Sequence, residues 1–149
     1  MNNEIMFSSK TDEWSTPQDL FDKLNEEFHF DLDVCANESN RKCALYYDRK
    51  QDGLKMSWTD HVVWCNPPYG REIGKWVKKA CFEHVEYGTT IVMLLPARTD
   101  TKWFHNYILG CASIRFLRGR LKFGDSKNSA PFPSMLAIYS NSEKDTCSG

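Results

Sequence analysis

The sequence predicts an α/β fold built on a mostly parallel central sheet with helices on both faces, and three observations predict it. Residues 89–95 (TTIVMLL) form a continuous apolar run between Gly88 and Pro96, as a central strand covered on both faces does. Residues 61–65 (HVVWC) form a shorter apolar run, β-branched and aromatic. It stops at Asn66, because Pro67 and Pro68 have no backbone N–H to give a ladder. Around these runs apolar residues recur at helical spacing, and strands alternating with helices imply a parallel sheet.

The elements follow in order. Residues 1–13 read as a flexible arm. A helix begins at Thr16-Pro17, with Thr16 as N-cap and Pro17 in the first helical position. Leu20, Phe21, Leu24 and Phe28 form its apolar face. Residues 28–34 (FHFDLDV) alternate apolar and polar, a strand signal. A polar loop and a short candidate strand, residues 43–47 (CALYY), come next, then a turn at residues 51–53. After the 61–65 strand, Trp76, Val77, Ala80, Cys81 and Val85 recur at helical spacing, and Gly88 stops that helix. Trp103, Phe104, Tyr107 and Ile108 mark another helix, closed by Gly110. Strands are expected over residues 112–117, 120–123 and 134–139, and a frayed tail over residues 140–149. Neither a repeat nor a linker interrupts the pattern, so residues 1–149 are expected to form one domain.

Composition narrows the class. The chain is 41% hydrophobic and 26% charged, the profile of an ordinary globular protein. No apolar run reaches the ~20 residues of a membrane span, and the polar N-terminus lacks a signal-peptide core. No membrane partner and a cytoplasmic location are the expectations. Formal net charge is −1, so global charge announces no nucleic-acid partner. The charges are unevenly spread, however. Arg98, Lys102, Arg115, Arg118, Arg120, Lys122 and Lys127 face only Asp100 and Asp125 in their stretch, and a local basic face can neutralise phosphates. The six cysteines show no C-x-x-C pair and no histidine at metal-ligand spacing. They are expected to be reduced, with neither disulfide nor metal.

In open α/β sheets ligands bind at the carboxyl ends of the strands. Two polar corners belong at that edge: Asp33-Val34-Cys35-Ala36 and Asn66-Pro67-Pro68-Tyr69. In the second, the Asn66 amide oxygen and the Pro67 carbonyl are acceptors held stiffly by proline. Two acceptors can grip both N–H bonds of an exocyclic amine, so that its nitrogen attacks an electrophilic methyl group. Tyr69 offers a ring on which an extruded base can stack.

NPPY after an apolar strand resembles the catalytic motif of amino-group methyltransferases. Together with EWSTP, FDLDVCA, DGL before a tryptophan, LLPAR, GRLKF and APFPSML, it resembles the small phage-type DNA N6-adenine methyltransferases over roughly residues 13–139. The resemblance implies a compact Rossmann-like methyltransferase fold, S-adenosyl-L-methionine as cofactor and DNA as partner, in a bacterial host cell. Asn66, Pro67, Pro68 and Tyr69 would be catalytic. Ser15, Thr16 and Pro17, then Asp33, Cys35 and Ala36, then Asp52, Gly53 and Leu54, with Asn66, would hold the cofactor. Arg98, Arg118 and Arg120, with Tyr69, would meet DNA or the target base. One departure stands out: the usual glycine-rich loop after the first strand reads Ala36-Asn37-Glu38-Ser39-Asn40. Cytosine N4, a protein glutamine amide, or an inactive nucleic-acid-binding module are the competing readings. Oligomeric state is left open, with a monomer favoured.

Overall fold

The computed structural model describes residues 14–124 and 127–141. The arm expected over residues 1–13, and the tail beyond residue 141 with its Cys147, lie outside the described residues. Helix α1, Gln18–Phe28, follows Pro17, whose carbonyl accepts from Phe21 N at 3.2 Å. Phe21 and Leu24 are its buried face. Pro17 takes the N-cap position that was expected of Thr16, and no side chain caps the helix. His29 then adopts a left-handed conformation (φ 58°), and Asn25 Oδ1 accepts from Phe30 N at 2.8 Å, so the chain turns sharply. Strand β1 is therefore Leu32–Asp33, shorter than the alternating pattern predicts. The strand expected over residues 43–47 reduces to one bridge between Tyr46 and Asp33.

A single 3-10 turn at Gly53–Lys55 leads to β2, Val62–Cys65. Helix α2 is Ile73–Tyr87, strand β3 is Thr90–Pro96 and helix α3 is Lys102–Tyr107. Strands β4, Ser113–Phe116, and β5, Ser134–Tyr139, complete a sheet of order β1-β2-β3-β5-β4. The sheet is mixed, so the expected mostly parallel arrangement is met in part. β1, β2 and β3 run parallel, but β5 is antiparallel to both β3 and β4. The reason lies in the connection: β4 and β5 are consecutive and adjacent, so the chain doubles back without a crossover helix. The strand expected over residues 120–123 does not form, and Leu121 O instead accepts one loop bond from Ala130 N at 2.7 Å.

Register fixes which face each helix covers. Val63 lies opposite Ile91 and Ile91 opposite Tyr139, while Trp64, Val92 and Ile138 align in the next row. Side chains alternate along a strand, so the two rows point to opposite faces. Phe21 of α1 meets Trp64 with ring centroids 5.4 Å apart, and His84 of α2 meets Tyr139 at 5.8 Å. The two helices thus cover opposite faces, which is why all six residues of β5 are buried.

Register also gathers the site. β1, β2 and β3 end at one edge of the sheet, and β5 begins there, with Ser134 opposite Pro96. β4 ends at the same edge, with Phe116 opposite Met135. Four strand exits therefore converge there.

Candidate active site

At that edge lies a cavity of about 770 Å³, within the range of small-molecule sites. Five short segments wall it: Trp14 to Thr16, Asp33 to Asn37, Tyr47 to Arg49, Asp52 to Leu54, and Asn66 to Pro68. Of the residues the sequence singles out, Ser15, Thr16, Asp33, Cys35, Ala36, Asp52, Gly53, Leu54, Asn66, Pro67 and Pro68 all line it.

Asn66 follows β2 directly. Its Nδ2 donates to the Trp14 main-chain oxygen, and to Thr16 Oγ1 at 2.9 Å. Its Oδ1 is buried and has no hydrogen-bond partner among the described residues. A buried acceptor left unpaired costs free energy on the order of 1–3 kcal/mol, and an amine N–H is a group that would satisfy it.

Asp33 is 2% exposed at the end of β1. Its Oδ1 accepts from Cys35 N at 3.3 Å and its Oδ2 from Lys42 N at 3.0 Å, so the carboxylate ties the loop back onto the strand. Burial pushes the Asp33 carboxyl up to about 6, against the pull of those two amides. The glycine-free loop is closed by asparagine instead. Asn37 Oδ1 accepts from Ser39 N and Asn40 N, each at 2.9 Å, and no helix follows before Gly53.

The Asp52-Gly53-Leu54 wall is packed by necessity. Asp52 sits at φ 59° and accepts from Leu54 N at 3.1 Å. A Cβ on Gly53 would stand 2.1 Å from the Val34 carbonyl oxygen. Gly53 O accepts from the indole N–H of fully buried Trp58 at 2.9 Å, and Trp58 stacks on Trp76. Glycine is needed here because the strand-end loop passes directly against it.

Other singled-out residues stand outside the cavity lining. Pro17 leads into α1 instead. Tyr69 is 2% exposed, its hydroxyl donates to Leu94 O at 3.0 Å, and its ring meets the edges of Phe132 and Phe123. The ring expected to offer an open stacking face is thus buried. Arg98 is exposed, its guanidinium 5.8 Å from the Phe132 ring centre. Arg118 and Arg120 are exposed just beyond β4. β4 lies three strand spacings from β2, roughly 14 Å, so the arginines border the active edge without reaching Asn66.

Sequence reasoning passed over Trp14, Lys42, Glu72 and Trp76 as lining residues. Trp14 was within reach, as the neighbour of Ser15 and Thr16. Trp76 carries a core-like helical spacing, and Lys42 sits in a polar loop, so neither signals a site. Among the described residues no cluster of His, Cys, Asp and Glu could hold a metal ion, and no helix is long and apolar enough to cross a membrane.

Comparison with known proteins defines the family. The profile of the family described as DNA N-6-adenine-methyltransferase (Dam) matches residues 5–146. The chain belongs to that family. It is 38% identical over 131 residues to the DNA N-6-adenine-methyltransferase of Escherichia phage T1, a match covering 87% of this chain and 54% of the relative. It is 31% identical over 139 residues to the protein of that name from Haemophilus phage HP1, covering 88% of this chain and 80% of the relative. The chain thus spans about half the length of the first relative and most of the second.

Proposed function

We propose that the protein transfers a methyl group from S-adenosyl-L-methionine to the exocyclic N6 amine of adenine in DNA. The observation that carries this reading is Asn66, whose amide oxygen is buried on the wall of the cavity without a partner among the described residues. The buried oxygen calls for a donor, and the target amine is one. Asn66 Oδ1 and the Pro67 carbonyl accept its two N–H bonds, drawing electron density onto nitrogen. Burial holds the Tyr69 hydroxyl well above its ordinary range, so this phenol stays protonated and acts as no base. None is needed, because the amine releases its proton after it has gained the methyl group. Family membership and the three parallel strands between helices support a Rossmann-like methyltransferase arrangement over residues 1–149 as one domain.

The cavity suits the cofactor chemically. It offers carboxylates at Asp33 and Asp52 for an amine and ribose hydroxyls, and Lys42, whose ammonium donates to Gln18 Oε1 at 2.7 Å, has further N–H bonds for a carboxylate. Ser15, Thr16, Cys35, Ala36, Gly53 and Leu54 supply backbone and shape around them. When bound, S-adenosyl-L-methionine supplies an electrophilic methyl group. Arg98, Arg118 and Arg120 are the DNA contacts, with phosphates as their natural partners. The setting is the cytoplasm of a bacterial host cell.

The test is transfer of labelled methyl from S-adenosyl-L-methionine to unmethylated DNA, followed by nucleoside analysis. N6-methyladenine is the expected product. Label on cytosine, or no label in DNA, overturns the reading.

A further inference from the structure

Thr16 stands one residue before the N-cap Pro17, although its residue type and the proline after it read as a cap in the sequence. It does not cap α1. Thr16 is 6% exposed, and its Oγ1 accepts from Asn66 Nδ2 at 2.9 Å. The same nitrogen donates to the main-chain oxygen of Trp14. A carbonyl oxygen can only accept, so the group facing it must be the amide nitrogen. Asn66 is therefore locked in one of its two amide orientations. Both of its N–H bonds are engaged, and its oxygen alone is left for a ligand.

The segment that does this is itself fixed. Trp14 packs its ring against Phe123 and Phe132, centroids 5.3 Å away in each case, and Ser15 O accepts from Gly124 N at 2.9 Å. Reversed, the amide would turn its nitrogen toward the substrate amine, donor against donor, and its oxygen toward the Trp14 carbonyl.

We propose that Thr16 is a positioning residue for methyl transfer: with the Trp14 carbonyl, it holds the Asn66 amide so that only an acceptor faces the target amine. This rests on the methyl-transfer reading above. It departs from the cofactor role that the motif resemblance implies for Thr16, and the two separate kinetically. A positioning role moves the chemical step, whereas a cofactor contact moves cofactor affinity.

The experiment compares Thr16→Val, which keeps the shape and removes the acceptor, with Thr16→Ser, which restores it. Turnover at saturating DNA and cofactor is measured beside the calorimetric dissociation constant for S-adenosyl-L-methionine and the side-chain amide NMR signals of Asn66. Thr16→Val should lower kcat about tenfold, the scale of one lost hydrogen bond in a buried site. Cofactor affinity should stay put, the Asn66 amide signals should shift, and Thr16→Ser should recover most of the loss. Unchanged turnover in Thr16→Val, a loss confined to cofactor affinity, or a serine variant as impaired as the valine one overturns the proposal. Should Thr16→Val fail to fold, Thr16→Ala is scored by the same criteria. If the wild-type protein transfers no methyl to adenine, the underlying reading fails. An active wild type with an indifferent Thr16 overturns the positioning role alone.

Discussion

The active edge of the sheet is built by opposite means on its two sides. On the β1–β3 side the side chains are tied down: Asp33 by two backbone amides, Asp52 by Leu54 N, and Asn66 by Trp14 and Thr16. Toward β4, Arg118 and Arg120 follow the strand exposed to solvent. The difference follows from what each side is proposed to do. A reacting amine must be held within a fraction of an ångström, which only packed and hydrogen-bonded groups achieve. A DNA phosphate is attracted over a Debye length, so charge has to be reachable more than exactly placed. The bonded side should then fail steeply on single substitutions, and the basic side gradually.

The steepest failure belongs to Asn66→Ala. It removes the amide oxygen proposed to grip the amine and leaves the Trp14 carbonyl and Thr16 without their donor. Methyl transfer should fall about a thousandfold, the scale for loss of one preorganised polar group at a reacting centre. Cofactor binding, measured by calorimetry, should persist. Retained turnover would place the chemistry elsewhere.

Next comes Gly53→Ala, whose new methyl group meets a backbone oxygen at 2.1 Å rather than a side chain that could swing aside. The turn must move away from Val34, taking its bond with Trp58 along. A loss of stability on the order of 3 kcal/mol, read from chemical denaturation, should accompany failed cofactor binding. A stable variant that binds cofactor normally would show that this wall is not fixed.

The same contrast governs what the sequence disclosed. Asn66-Pro67-Pro68 was legible because two prolines after an apolar run leave the chain no alternative to a corner. β3 was legible from its unbroken apolar run, and α2 from its spacing and Gly88. The antiparallel half was not, since a buried run such as that of β5 reads alike whichever way its neighbour points. Residues 28–34 alternate like a strand, yet a left-handed His29 and the Asn25 side chain bend them out of the ladder. Thr16 shows the limit most plainly. Its local preference for capping gives way to a partner fifty positions on, and no local pattern reports such a contact.

Asp33 offers a pH test of the bonded side. Its carboxyl is raised from the ordinary 3.8 to about 6, chiefly by burial. A raised value means that the folded protein binds this proton more tightly than the unfolded chain does. The associated stability is fully present below pH 3.8 and is lost as pH rises through about 6. At most about 3 kcal/mol is at stake, at 1.36 kcal/mol per pKa unit. Other carboxyls contribute slopes of their own, so the observable is a difference. Between pH 4 and 7 the wild-type unfolding free energy should fall relative to that of Asp33→Asn. Parallel pH profiles would mean that Asp33 titrates normally.

The smallest effect is expected on the basic side. Arg118 and Arg120 stand exposed beyond the end of β4, on the edge that carries Asn66 but three strands away. Each would neutralise one phosphate and release its condensed counterions. Replacing both by glutamine should weaken DNA binding about tenfold at low salt, and lower the slope of log affinity against log salt by about 1.8, or 0.9 for each contact. The loss should shrink as salt rises, because the wild-type advantage is itself electrostatic. A loss that is independent of salt would mean that these arginines make fixed, desolvated contacts like those around Asn66, and the contrast between the two sides would collapse. An unchanged slope would instead move the DNA path toward Arg98, beside the Phe132 ring and one strand from the reacting corner.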